Sequence, residues 1–135
     1  MATSFSVIYE LFLSMITDDE ILEFQEMDRE MMLFKYLQSA QARFKNLTRV
    51  DLKRNDDMAE YVDDLDEELI EILATGMVYT YTNPKVNNLE NTKNRLSTKD
   101  FSIHSPAALL SALESRRNNA EKDFRQMCRS FSYRR

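Results

Sequence analysis

A single glycine, Gly76, and two prolines, Pro84 and Pro106, are all the strong turn-formers in a chain of 135 residues. Glycine supplies the left-handed backbone of tight turns and proline fixes φ, so this chain has few places to reverse sharply. A fold of many hairpins is disfavoured, while plentiful Met, Leu, Glu, Lys, Arg and Ala favour helix. The expected class is all-α: one domain over residues 1–135, a bundle of about four to five helices with two long ones and an extended Asn-rich loop. Apolar residues make up 43% of the chain and charged ones 30%, enough greasy surface to offset chain entropy.

Cys128 is the only cysteine, which rules out an intramolecular disulfide and a cysteine cluster for zinc and fits a reducing compartment. The N-terminal run "FSVIYELFLSMI" contains Glu10, has no basic stretch before it and is too short to span a bilayer. It predicts neither signal peptide nor membrane helix.

Phe5, Ile8, Leu11, Phe12 and Met15 recur at helical spacing and predict a first helix over residues 5–16. "TDDE" at 17–20 reads as a capping box, with the Thr17 hydroxyl accepting from the amide three residues on and Glu20 reaching back. A second helix is expected from Asp18 to about Asn46, roughly 40 Å long, with Ile21, Phe24, Met27, Met31, Phe34, Leu37 and Phe44 on its apolar side. "NLTRVDLKRNDD" then breaks the period, placing a connection near residues 47–56.

Val62, Leu65, Leu69, Ile72, Gly76 and Tyr79 follow alternating steps of three and four, a heptad-like seam that predicts a third helix. Gly76 on that seam would let a neighbouring backbone approach; the competing role is a C-terminal cap, disfavoured because "MVYTY" still reads as helix beyond it. Asn83 precedes Pro84, which predicts the end of this helix and a protruding loop over 83–105, in which Val86, Leu89 and Leu96 allow a short helix at most. Ser105 and Pro106 suit the N-cap and first position of a last helix, whose seam runs through Leu110, Leu113, Arg117, Ala120, Phe124, Met127 and Phe131.

The net charge of −5 conceals a division. Residues 1–84 hold 7 Lys/Arg against 18 Asp/Glu, a net of −11; residues 85–135 hold 11 against 5, a net of +6. Acidic and basic helices could face each other inside one bundle, or the acidic half of one copy could meet the basic half of the next in a head-to-tail ring.

Catalytic inventory is thin. His104 is the sole histidine, without a sequence partner for a triad or metal site, and Cys128 reads as a small buried hydrophobe. One glycine cannot make a phosphate-cradling loop. The acids from Asp56 to Glu71 lack the ligand pattern of an EF-hand and read as a solvated helix face. A second use is a channel wall, in which Asp63, Asp64, Glu67, Glu68 and Glu71 face a lumen and repel a passing phosphate backbone. The C-terminal arginines alternate with acids, which argues against direct DNA binding. No enzyme activity, cofactor or metal is expected.

"EILATGMVYTYTNPKVNN", "LSTKDFSIHSPAALLSALESRR" and "DFRQMCRSFSY", within residues 68–133, resemble the small head-to-tail connector, or neck adaptor, proteins of tailed phages of Gram-positive hosts. Such adaptors are all-α and form rings of about twelve subunits between the portal and the stopper or tail completion protein. The resemblance implies a virion neck protein, found in the host cytoplasm during assembly, that joins head to tail and leaves a channel for genomic DNA without sequence-specific binding. Its partners are its own copies, the portal, and the stopper or tail completion protein; no membrane is involved. By the same resemblance the C-terminal segment 129–135 docks on the portal through Arg129, Phe131, Tyr133, Arg134 and Arg135. Asn83, Pro84, Lys85, Asn87, Asn88, Lys99, Asp100 and Phe101 would reach a neighbouring subunit or the next ring. The rival reading is a small cytosolic helical regulator or assembly chaperone with one protein partner. A weaker third is a hydrolase subunit with a carboxylate metal site.

Overall fold

The computed structural model describes residues 2–24, 28–95 and 106–134. It is a helical bundle with one small sheet. Helix α1 spans Phe5–Ser14, the single turn α2 spans Asp18–Ile21 and continues as a 3₁₀ turn through Leu22–Phe24, and α3 spans Arg29–Thr48. Two long helices follow, α4 over Glu67–Arg95 and α5 over Pro106–Tyr133. Strands β1 (Thr3–Ser4), β2 (Arg54–Asn55) and β3 (Glu60–Tyr61) form an antiparallel sheet in the order β1-β3-β2.

Helix α4 is the axis of the molecule. Every residue from Ile72 to Val78 is buried, because "ILATGMV" is apolar or small on all sides and α1, α3 and α5 surround it. Helices α4 and α5 run antiparallel: Glu68 meets Arg134, Thr82 meets Arg116, and Val86 packs with Leu110 and Leu113. Gly76 lies on the seam as expected. A Cβ there would stand 2.8 Å from both the Ala40 Cβ and the Phe124 ring, so three helices converge where a side chain is missing.

Three boundaries differ from the sequence reading. The helix expected over 18–46 gives way to a 3₁₀ turn at Leu22–Phe24, and a separate helix starts at Arg29; the reason lies in the aromatic rings. Phe24 and Tyr36 are twelve positions apart, about 18 Å along a straight helix. Their rings nevertheless stand 6.2 Å apart, and each touches Tyr81, at 5.4 and 5.7 Å. Burying that cluster with Phe12 requires the chain to fold back, and tertiary packing overrides local propensity.

The third helix begins at Glu67, so Val62 is not on a helical seam and is 52% exposed. Residues 49–66 form the small hairpin and its flanks instead. Tyr61 is fully buried and donates its hydroxyl to Gln41 Oε1 at 2.8 Å, while Gln41 donates to the Leu52 carbonyl at 2.7 Å. Thr3 Oγ1 accepts the Leu65 amide at 2.8 Å and donates to the Asp63 carbonyl at 3.2 Å. Asp66 then caps α4 by accepting from the Leu69 amide at 2.9 Å.

Pro84 does not end α4, which continues to Arg95. The missing N–H and ring clash cost about 3 kcal/mol, offset by what the helix delivers beyond the proline. Val86 is fully buried against α5, and Lys85 reaches Glu20 at 3.4 Å. The protruding loop expected over 83–105 is thus helical through residue 95; Ser105, His104 and the rest of 96–105 lie outside the described residues.

Among the described residues two non-glycine residues adopt positive φ: Arg49 (63°), just past the end of α3, and Ala59 (52°), in the β2–β3 turn. A side chain in the left-handed region costs about 1–2 kcal/mol, part of which glycine loses again in unfolded-state entropy. Ala59→Gly should therefore raise the unfolding free energy by roughly 0.5–1 kcal/mol. Urea denaturation should show a higher midpoint at unchanged slope.

Candidate functional site

The most elaborate polar arrangement centres on Glu20. Its carboxylate belongs to the predicted capping box: the Thr17 backbone N–H donates to Oε1 at 3.1 Å and the Glu20 amide donates to Thr17 Oγ1 at 3.3 Å. The same carboxylate receives a two-pronged grip from Arg116 on α5, at 2.5 Å to Oε1 and 2.8 Å to Oε2. Arg116 Nε donates to Thr82 on α4 at 3.0 Å, and the Lys85 ammonium stands 4.6 Å over the Tyr81 ring. Burial alone would push the Glu20 pKa up, but hydrogen bonds from Arg116 and the Thr17 backbone outweigh it and hold the carboxyl at about 2, against an ordinary 4.5.

Chemically this knot is inert. Glu20 stays ionised across the range in which a general acid works, and an arginine cannot give up its proton. Its consequence is mechanical, tying α2, α4 and α5 together. Cys128 is buried, and burial pushes its thiol up to about 11, so it stays protonated as expected for a packing residue. Among the described residues no group of three or more His, Cys, Asp or Glu could hold a metal ion, and no helix is long and apolar enough to cross a membrane.

The predicted contact residues are dispersed. Of the C-terminal set, Phe131 packs tilted against Phe44 with ring centroids 5.3 Å apart and is half-buried at the edge of the core, and Arg134 pairs with Glu68. Arg129 is exposed, Tyr133 is 82% exposed, and Arg135 lies outside the described residues. Of the Asn-rich set, Asn83 accepts from Arg117 at 3.5 Å and Lys85 belongs to the Glu20 knot. Pro84, Asn87 and Asn88 lie exposed on α4, and Lys99, Asp100 and Phe101 fall outside the described residues. Asp63 and Asp64 precede α4 rather than riding on it; Glu67 and Glu71 are exposed on its first turns. The five acids therefore do not form one helical stripe.

The charge division is used inside the chain. Glu20–Arg116, Glu20–Lys85 and Glu68–Arg134 join the acidic to the basic half, while Glu90–Arg117 pairs within the basic half. Glu20, Arg116, Thr82 and Gln41 escaped the sequence reading as site-builders. The capping box pointed to Glu20, but nothing local marks a partner 96 positions away.

Two of the surface hollows lie along the middle of α5. An open groove of about 970 Å³ runs beside α4 and α5, with Glu67, Glu71 and Asp123 along it and Val78, Ala120 and Met127 in its floor. A smaller recess of about 160 Å³ lies where α3, α4 and α5 meet, between Arg43, Leu47, Tyr79, Phe124 and Arg125. No family model, curated protein or solved structure matches this chain.

Proposed function

We propose that this is a non-enzymatic neck protein of a tailed phage, a ring-forming adaptor that joins portal to stopper or tail and leaves a passage for DNA. The segment carrying the resemblance, 68–133, coincides with the long α4–α5 pair around which the bundle is built. The observation that carries the docking role is the end of α5. Packing of Phe131 on Phe44 holds the last turn in place and leaves Tyr133 and Arg129 turned to solvent. An exposed aromatic with arginines on a fixed helix end has the composition of an interface hot spot.

Because Phe131 packs against the core, deleting 129–135 would confound docking with stability; point changes separate them. Tyr133→Ala and Arg129→Glu should leave the thermal midpoint within about 2 °C of wild type, as surface changes do, and weaken portal binding by about thirtyfold or more. Light scattering of the purified protein, alone and with the portal, reads both association and stoichiometry. A monomer that ignores the portal sinks the reading and favours a cytosolic regulator, as does the lack of this polypeptide from intact virions.

A further inference from the structure

The turn between β2 and β3 is an acidic knob with an apolar tip. Residues 55–64 contain Asp56, Asp57, Glu60, Asp63 and Asp64 and no lysine or arginine, Asp56 being paired with the adjoining Arg54 at 3.1 Å. Met58 stands at the tip, 66% exposed. The knob is held in shape: Asn55 Oδ1 accepts the Met58 amide at 3.3 Å, the Ala59 amide donates to the Asp56 carbonyl at 3.2 Å, and the Phe5 amide donates to the Ala59 carbonyl at 2.9 Å. A preformed knob loses little entropy when it binds.

The recess beside α3 has the complementary character. Tyr79 and Phe124 form its floor, Leu47 is 45% exposed on its lip, and Arg43 and Arg125 flank it, the latter paired locally with Glu121 at 3.4 Å. At about 160 Å³ it approaches the size of a cavity that takes a benzene ring, room for one flexible methionine side chain. Arg43 lies over the Tyr79 ring at 4.3 Å, which keeps its guanidinium at the mouth.

Knob and recess cannot meet within one chain. Phe34 and Gln41, which touch the hairpin through Arg54 and Tyr61, share one flank of α3; Arg43 and Leu47 lie roughly 120–180° round the helix. Two complementary surfaces on opposite flanks make a heterologous contact, which closes into a ring or runs on as a filament.

We propose that the Met58 tip of one copy docks in the Leu47–Tyr79–Phe124 recess of the next, with Asp57 facing Arg43 and Arg125. This rests on the ring reading above and names the joint between neighbouring subunits. Sedimentation velocity on the full chain tests it, using Met58→Arg to block the knob and Leu47→Glu to block the recess. Both sites are exposed, so both variants should keep the wild-type melt; Asp57→Lys is a second knob variant if either does not. Wild type is expected to assemble beyond a dimer with rising concentration, and each variant alone to weaken assembly by about thirtyfold or more. An equimolar mixture of the two should recover a species of two chains, since one intact knob and one intact recess remain. Variants that assemble like wild type overturn this joint and leave the ring reading standing. A wild type that stays monomeric throughout overturns self-docking here, and the portal experiment then decides the ring reading separately. Portal binding lost in Leu47→Glu with self-assembly unchanged would assign the recess to another protein, which also overturns the proposal.

Discussion

Arg116→Ala should lower the unfolding free energy by about 3 kcal/mol, the lower end of what removing one partner of a buried ion pair costs. The loss comes from what stays behind. The Glu20 carboxylate would keep Thr17 and Lys85 but lose both guanidinium bonds, and Thr82 would lose the Arg116 Nε donor. Glu20→Ala should be costly too, and the double variant should lose less than the two singles summed, because the second change removes a charge already stranded. A single variant within 1 kcal/mol of wild type would show that the knot contributes little.

The same knot makes the protein acid-sensitive. The folded pKa of Glu20 is depressed, so its contribution is fully present above the ordinary carboxylate value of 4.5 and lost as pH falls toward about 2. That contribution is on the order of 2–3 kcal/mol. Urea midpoints should therefore drop between about pH 5 and pH 2 in wild type, and distinctly less in Glu20→Gln.

Gly76→Val should destabilise by about 3 kcal/mol, and Gly76→Ala by about 1–2, even though both replace glycine inside a helix. Alanine there would ordinarily add up to about 1 kcal/mol through propensity. Here its methyl would stand 2.8 Å from the Ala40 Cβ, which is fixed by the backbone of α3, and 2.8 Å from the Phe124 ring, which can turn. Valine adds two methyls to a site with no room for one. Phe124→Leu should recover part of the loss in Gly76→Ala, whereas it destabilises the wild type by opening a void. Alanine at 76 as stable as glycine would mean that α3 and α5 can move apart freely.

Features written in a few neighbouring residues were legible beforehand. The Thr17–Glu20 capping box spans four positions and needs nothing else, and the apolar spacing of α5 persists because Leu110, Leu113, Ala120 and Phe124 all face the bundle. Gly76 could be placed on a seam since helix-forming residues continue past it. Features set by distant partners were hidden. The break before α3 answers to a ring cluster joining Phe12, Phe24, Tyr36 and Tyr81. The late start of α4 answers to Thr3 holding residues 63 and 65. Continuation through Pro84 answers to Val86 and Lys85 finding partners on α5 and α2. Phe131 resembled a free anchor because nothing near it in sequence reveals Phe44.

The bond between Glu20 and Arg116 spans 96 positions of chain. On a ribosome adding about 5–20 residues per second, the glutamate emerges some 5–20 s before the arginine that holds it. By the last third of that interval the acidic half is made and waiting, its α4 carrying small and apolar residues on the side that α5 has yet to cover. The bundle can lock only once α5 has emerged, so the apolar faces of α4 that α5 covers stay open until then.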